Sequence, residues 1–108
     1  MICRLWRARA TPQGANEYRR HFSERVVPHL ENIDGYAGAY LLERTEEAHV
    51  EIRVATLWRS VDAVRRFAGA DIEAAVVEPE AQVVLTDYDT TVRHYAITAG
   101  TLTGGPGR

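Results

Sequence analysis

The sequence predicts an α+β domain in the order strand, helix, strand, strand, helix, strand. This is the ferredoxin-like βαββαβ plan, an antiparallel sheet with both helices on one face. Three observations predict it. Period-two alternation marks ICRLWRARA, GYAGAYLLER, VEIRVATLW and TTVRHYAIT as strands. The period lengthens to that of a helix in ANEYRRHFSERVV, after the first strand, and in VDAVRRFAG, after the third. Only Glu46-Glu47-Ala48-His49 separates the second strand from the third, a hairpin spacing.

The first strand, residues 2–10, places Ile2, Trp6 and Ala8 on one side and Cys3, Leu5, Arg7 and Arg9 on the other. Thr11 can cap the helix that follows, and Pro12 suits its first position. Ala15, Tyr18, Phe22 and Val26 form one apolar stripe. Pro28 falls inside this pattern, so the helix should kink or restart there, before Leu30 and Ile33, and Asp34-Gly35 should end it. Residues 36–45 and 50–59 read as the hairpin strands. Tyr40 and Leu42 share one face of the first; Val50, Ile52, Val54, Thr56 and Trp58 share the core face of the second. Ser60 caps the next helix, whose apolar side is Val61, Val64, Phe67 and Ala68, and Gly69 ends it. Asp71 is expected to cap a short helical segment through Ala75 to Val77, interrupted by Pro79. Residues 88–98 should be one continuous last strand. The domain is therefore read as residues 1–98, with 99–108 a flexible Gly-rich tail.

Composition bounds the function. With 45% apolar and 26% charged residues in 108, the chain is an ordinary globular domain. A net charge of −2 with mixed signs excludes a nucleic-acid footprint and a polybasic membrane patch. No apolar run approaches membrane-spanning length and no signal-peptide pattern opens the chain. The single cysteine, Cys3, permits no internal disulfide. The expectation is a cytoplasmic protein with no membrane and no nucleic-acid partner. If both helices cover one sheet face, Ala55 and Leu57 lie at the centre of the other. A second copy packing there, as a homodimer, is the economical cover; the alternative is that these are scattered surface apolar residues, which are common.

The stretches ICRLWR, ENIDGYAGAYLLER, VATLWRSVDAVRRFAGADIEAAV and VRHYAI resemble the antibiotic biosynthesis monooxygenase (ABM) family of dimeric α/β-barrel proteins. The resemblance runs from Ile2 to Ile97. It implies a pocket between sheet and helices in each protomer of a homodimer. It also implies a monooxygenase that oxidises an aromatic or polyketide-like phenol with molecular oxygen as co-substrate and neither metal nor other cofactor. The alternative is a non-catalytic small-molecule-binding or accessory dimer of the same fold. A further branch of the family binds and degrades haem through an asparagine, a tryptophan and a histidine. The corresponding places here hold Arg7, Phe67 and Val76 or Val77, so the haem reading is disfavoured.

Candidate chemistry centres on His94, which alternation aims into the layer of Val92 and Ala96. A buried imidazole with a lowered pKa is suited to be the general base that removes a phenol proton. The competing reading is a core histidine satisfied by a backbone group or a Tyr hydroxyl. Arg7, if it faces the helices as the family's register implies, could hold a substrate oxyanion; otherwise it snorkels outward. Arg53 is read as pairing with a glutamate across the dimer. Trp6, Tyr40, Trp58, Phe67 and Phe22 are candidate walls of an aromatic substrate pocket, or else core. His21 and His29, eight apart on a kinked helix, are too far along its axis to share a metal ion. Cys3 has no basic neighbour and reads as a small buried hydrophobe.

Overall fold

The computed structural model describes residues 1–101. Strand β1 (Ile2–Ala10) leads into α1 (Pro12–His21), a π-helical turn (Phe22–Val26) and α2 (Val27–Glu31). The hairpin β2 (Tyr36–Thr45) and β3 (Val50–Trp58) precedes α3 (Val61–Ala68), the short α4 (Pro79–Gln82), β4 (Asp87–Tyr88) and β5 (Arg93–Ala96). The sheet order is β2-β3-β1-β4, with β5 pairing the other end of β1, and every pairing is antiparallel. This is the expected ferredoxin-like plan, helices on one face.

Local chemistry explains the boundaries. Thr11 accepts from the Gly14 N–H at 3.0 Å and Ser60 from the Ala63 N–H at 3.1 Å, so each long helix begins on a hydroxyl cap. The first helix restarts just before Pro28. The N–H of Val27 reaches back to the Phe22 carbonyl, a π-type bond that inserts one extra residue ahead of a proline with no N–H to give. Gly35 takes φ +93° where the chain passes under α3; a Cβ there would lie 2.4 Å from Ala63 Cβ. The hairpin closes with the Glu46 N–H on the His49 carbonyl at 2.8 Å.

Cross-strand register fixes the two faces. Inward are Arg4, Trp6, Ala8 and Ala10 of β1, Ile52, Val54, Thr56 and Trp58 of β3, and His94 of β5, directly opposite Arg4. Tyr18, Phe22, Ile52, Val54 and Ala81 form one buried cluster; Leu30, Trp58, Ala63 and Val64 form another. Outward lie three cross-strand rows: Leu5, Ala55 and Tyr40; Cys3, Leu57 and Tyr95; Arg7, Arg53 and Leu42.

Four expectations need correction. Arg7 faces away from the helices, because Trp6 and Ala8 already take the inward places around it. In α3 Val64 is buried as expected, but its buried companion is Ala63, while Val61, on the first turn, is exposed. Residues 71–77 form no helix. An Asx turn, with the Glu73 N–H on Asp71 Oδ1, leads into an extended stretch, and the short helix starts at Pro79, where a proline fits best. The last strand is split, since residues 90–92 leave β1 to pair with 73–75: the Val92 N–H donates to the Glu73 carbonyl and the Ala75 N–H to the Thr90 carbonyl, both at 2.9 Å. Of the expected tail, residues 102–108 lie outside the described residues.

Candidate active site

Between the inward face of the sheet and the helices lies a cavity of about 350 Å³. That is the size of a small-molecule site, and its walls are mostly apolar as such sites require. The sheet contributes Arg4, Trp6, Val54 and Thr56; the first helical stretch contributes Tyr18, His21, Arg25, Val26 and His29. Phe67 comes from α3, and Val76, Val77 and Glu78 from the chain before α4.

Two aromatic walls are rigidly held. Trp6 donates its indole N–H to the Asp89 carbonyl at 2.8 Å, a carbonyl freed by the break in the last strand, and its ring lies 5.9 Å from that of Tyr18. Phe67 is sandwiched: it stacks on Trp58 at 5.6 Å, and His29 approaches it at 6.2 Å. Burial, with a smaller contribution from the Glu78 charge, pushes the Tyr18 hydroxyl far above its ordinary pKa, so the cavity meets it as a neutral donor.

The one charge at the sheet-side wall is Arg4, only 4% exposed. Its Nη1 donates to the Ile72 carbonyl and approaches His94 Nε2 at 3.0 Å; its Nη2 donates to the Ala74 carbonyl at 2.7 Å. The backbone of residues 72–75 makes this possible: a turn closed by the Ala74 N–H on the Asp71 carbonyl at 3.2 Å runs into the bridge between Ala74 and Thr91. Glu73 and Ala75 pair with the chain at 90–92, which leaves the alternate carbonyls of Ile72 and Ala74 for the guanidinium. The guanidinium carbon also sits 5.6 Å over the Phe67 ring. Burial pulls the Arg4 pKa down to about 10, still well above neutrality, so the group carries its charge.

His94 is absent from the cavity wall. Facing an N–H of Arg4, Nε2 is an acceptor and the ring is neutral. Burial first, then the Arg4 charge, lower its pKa, partly countered by Glu73. The expected substrate-sized space beside His94 is occupied by Arg4.

The other sequence candidates divide cleanly. Trp6 and Phe67 line the cavity as expected. Trp58 is fully buried behind Phe67, its N–H spent on Thr56 Oγ1, and Phe22 belongs to the core cluster. Tyr40 lies on the opposite sheet face, opposite Ala55. Arg7 is there too, bound through Nε to Glu51 Oε2 at 3.0 Å, which holds the Glu51 carboxyl below its usual range. Glu51 also takes Arg53 at 3.5 Å, so Arg53 finds a glutamate of its own chain. The burial of Cys3 raises its thiol pKa, away from the reactive thiolate.

Sequence reasoning missed Arg4, which strict alternation places beside Ile2 and Trp6, and it missed the convergence of His21, Arg25 and His29. The extra residue of the π turn makes the eight-residue step from His21 to His29 behave as about seven helical steps, close to two full turns. Both rings therefore reach one cavity.

At the places where the resemblance sets the haem branch's residues, Arg7 lies on the outer sheet face and Phe67 offers no donor. Val76 and Val77 line the cavity without offering a donor, and the histidines that reach it come from the first helical stretch. Among the described residues no three His, Cys, Asp or Glu side chains gather as a metal site, and no helix is long and apolar enough to cross a membrane.

Comparison with known proteins agrees with this architecture. An antibiotic biosynthesis monooxygenase from Bacillus cereus superposes with a TM-score of 0.65 at 13% identity, over 94% of this chain and 97% of its own. The monooxygenase of ActVA-Orf6 from Streptomyces coelicolor, solved with nanaomycin D, gives 0.62 at 15%, covering 96% and 92%. The haem degrader MhuD from Mycobacterium tuberculosis, solved with two haems in its active site, gives 0.61 at 22%, covering 94% and 99%. A search of curated proteins finds no match. At these identities the superpositions establish the fold. The model of the Antibiotic biosynthesis monooxygenase family matches residues 1–87, so this chain belongs to the ABM family.

Proposed function

We propose that this protein is a cofactor-independent monooxygenase acting on a planar aromatic, polyketide-like phenol, with molecular oxygen as co-substrate. The observation that carries the reading is the cavity of about 350 Å³ walled by Trp6, Tyr18 and Phe67 on the helix side of the sheet. Such a space takes two or three fused rings between aromatic faces. The chemistry asks little more of the protein. A base removes a proton from the phenol or its anthrone tautomer, and the resulting anion passes one electron to oxygen. The radical pair then joins as a peroxide, and loss of water leaves a carbonyl where a CH₂ stood. His94, engaged with Arg4, is a positioning residue in this account; His21 and His29 are the imidazoles that reach the cavity and are the candidate bases.

The working unit we propose is a homodimer in the cytoplasm. The helix-free face carries Leu5, Ala55, Leu57, Leu42 and Tyr95, with Leu42 49% and Tyr95 50% exposed. Apolar side chains gathered on a helix-free sheet face support an isologous sheet-to-sheet interface. A lone, half-buried thiol is at home in a reducing compartment.

Oxygen uptake by haem-free, metal-free protein supplied with an anthrone tests the reading. One oxygen consumed per quinone formed is expected. No uptake overturns the enzyme. In that case a Soret band with stoichiometric hemin supports haem binding through His21 or His29, and its absence leaves the non-catalytic binding dimer.

A further inference from the structure

Arg4 differs from the chain's other paired arginines. Arg7, Arg9, Arg19, Arg53 and Arg65 each reach a carboxylate, and all are far more exposed. Arg4 is buried, yet among the described residues its only polar partners are two backbone carbonyls and a neutral imidazole. A charge taken out of water without a counter-ion is expensive, and a fold that keeps one has a use for it.

The donors can be counted. A guanidinium has five N–H groups. Ile72 and His94 engage Nη1, and Ala74 takes one N–H of Nη2. The Nε–H and the second N–H of Nη2 remain. No buried side-chain nitrogen lacks a partner among the described residues, so the unbonded Nε reaches open space. The open space that Arg4 lines is the cavity.

We infer that the ligand of this cavity carries an anionic oxygen on a planar aromatic ring, a carboxylate or a phenolate, and that Arg4 is its anchor. The inference rests on the reading of the cavity as an aromatic site and adds the charge of its occupant. The ring lies against Phe67 or Trp6, while the anionic oxygen accepts the free N–H groups and completes the buried pair. Two features favour that arrangement. His94 and the two carbonyls fix the guanidinium before the ligand arrives, so little side-chain entropy is lost on binding. The wall adds Arg25 to Arg4 against the single carboxylate of Glu78, so the net positive charge favours anion entry. In the oxidation proposed above, an Arg4-bound oxygen would also hold the phenolate in its ionised, electron-rich form.

The test is a calorimetric titration of the intact protein with 2-naphthoate, its methyl ester and, at rising pH, 4-nitro-1-naphthol, whose hydroxyl ionises well below the range in which Arg4 loses its charge. Naphthoate binding about tenfold or more tighter than the ester is expected. Naphthol affinity that climbs as its hydroxyl ionises identifies a phenolate as the preferred source. In Arg4→Met both preferences should collapse to within about twofold; Arg4→Lys, which keeps the charge without the fork, should retain part of them. Because acid and ester are first compared on the unaltered protein, the test survives if Arg4→Met fails to fold. Equal affinity for acid and ester together with pH-independent naphthol binding overturns the inference and leaves the aromatic cavity standing. Loss of the preference in Arg25→Gln but not in Arg4→Met also overturns it. No binding of any probe removes the aromatic site and the anchor together.

Discussion

At the residue scale, the pair Arg4–His94 joins the sheet to the cavity wall. The imidazole is held neutral by burial and by the adjacent cation, so its folded pKa lies below the ordinary 6.5. The unfolded chain therefore binds that proton more readily. Stability contributed by the pair is complete above the ordinary imidazole range and is lost as pH falls below it. The melting temperature should drop on acidification from pH 7.5 to 5.5, and His94→Gln, whose amide oxygen can still accept from Arg4, should flatten the slope. The same variant separates two roles. A pocket base would cost about 10²-fold in turnover per folded molecule, whereas a positioning residue replaced by another acceptor costs much less. Half of this pair was legible in the sequence. Alternation put His94 on the inner face, but Arg4 escaped because arginine on a strand is ordinarily a solvated residue, and only the register shows it opposite His94.

At the scale of elements, the most exacting junction is the turn before β2. Gly35 has positive φ and leaves no room for a methyl against Ala63, while its carbonyl accepts the Arg59 N–H at 2.9 Å. Gly35→Ala is expected to destabilise by about 2 kcal/mol or more, through backbone strain and the displaced α3 together. Thermal unfolding of the variant checks it, and an unchanged melting temperature would mean that α3 yields freely. The helix caps, hairpin and Gly35 stop were all readable because each rests on a local hydrogen bond or a local steric rule. The π turn and the turn and bridge at 72–75 were not. Pro28 announced a restart, but an extra residue in the turn is selected by burying both Phe22 and Leu30, a tertiary demand. Asp71 carried a true turn signal, yet the chain beyond it pairs with residues 90–92, some 17 positions away.

At the scale of the whole molecule, the sheet presents two faces of opposite use: the inner one lines the cavity, and the outer one carries the apolar rows around Ala55 and Leu57. A dimer formed through that outer face predicts that Leu57→Asp, half-buried in the isolated chain, shifts sedimentation from dimer to monomer at micromolar concentration. A wild-type monomer under the same conditions would rule out the interface. Truncation after Thr98 should leave the melting temperature unchanged within error, since the Gly-rich segment has too little apolar surface to offset the entropy of ordering it. A loss of several degrees would show that it docks.

The central claim, that the cavity under the helices receives an anionic aromatic ligand on Arg4, is most directly tested by a crystal structure of the protein soaked with 2-naphthoate. The expected result is density for the rings against Phe67 or Trp6, with a carboxylate oxygen within hydrogen-bond distance of the Arg4 guanidinium. An empty cavity, with the ligand instead beside Arg7, Arg53 and Arg93 on the outer face, would contradict it.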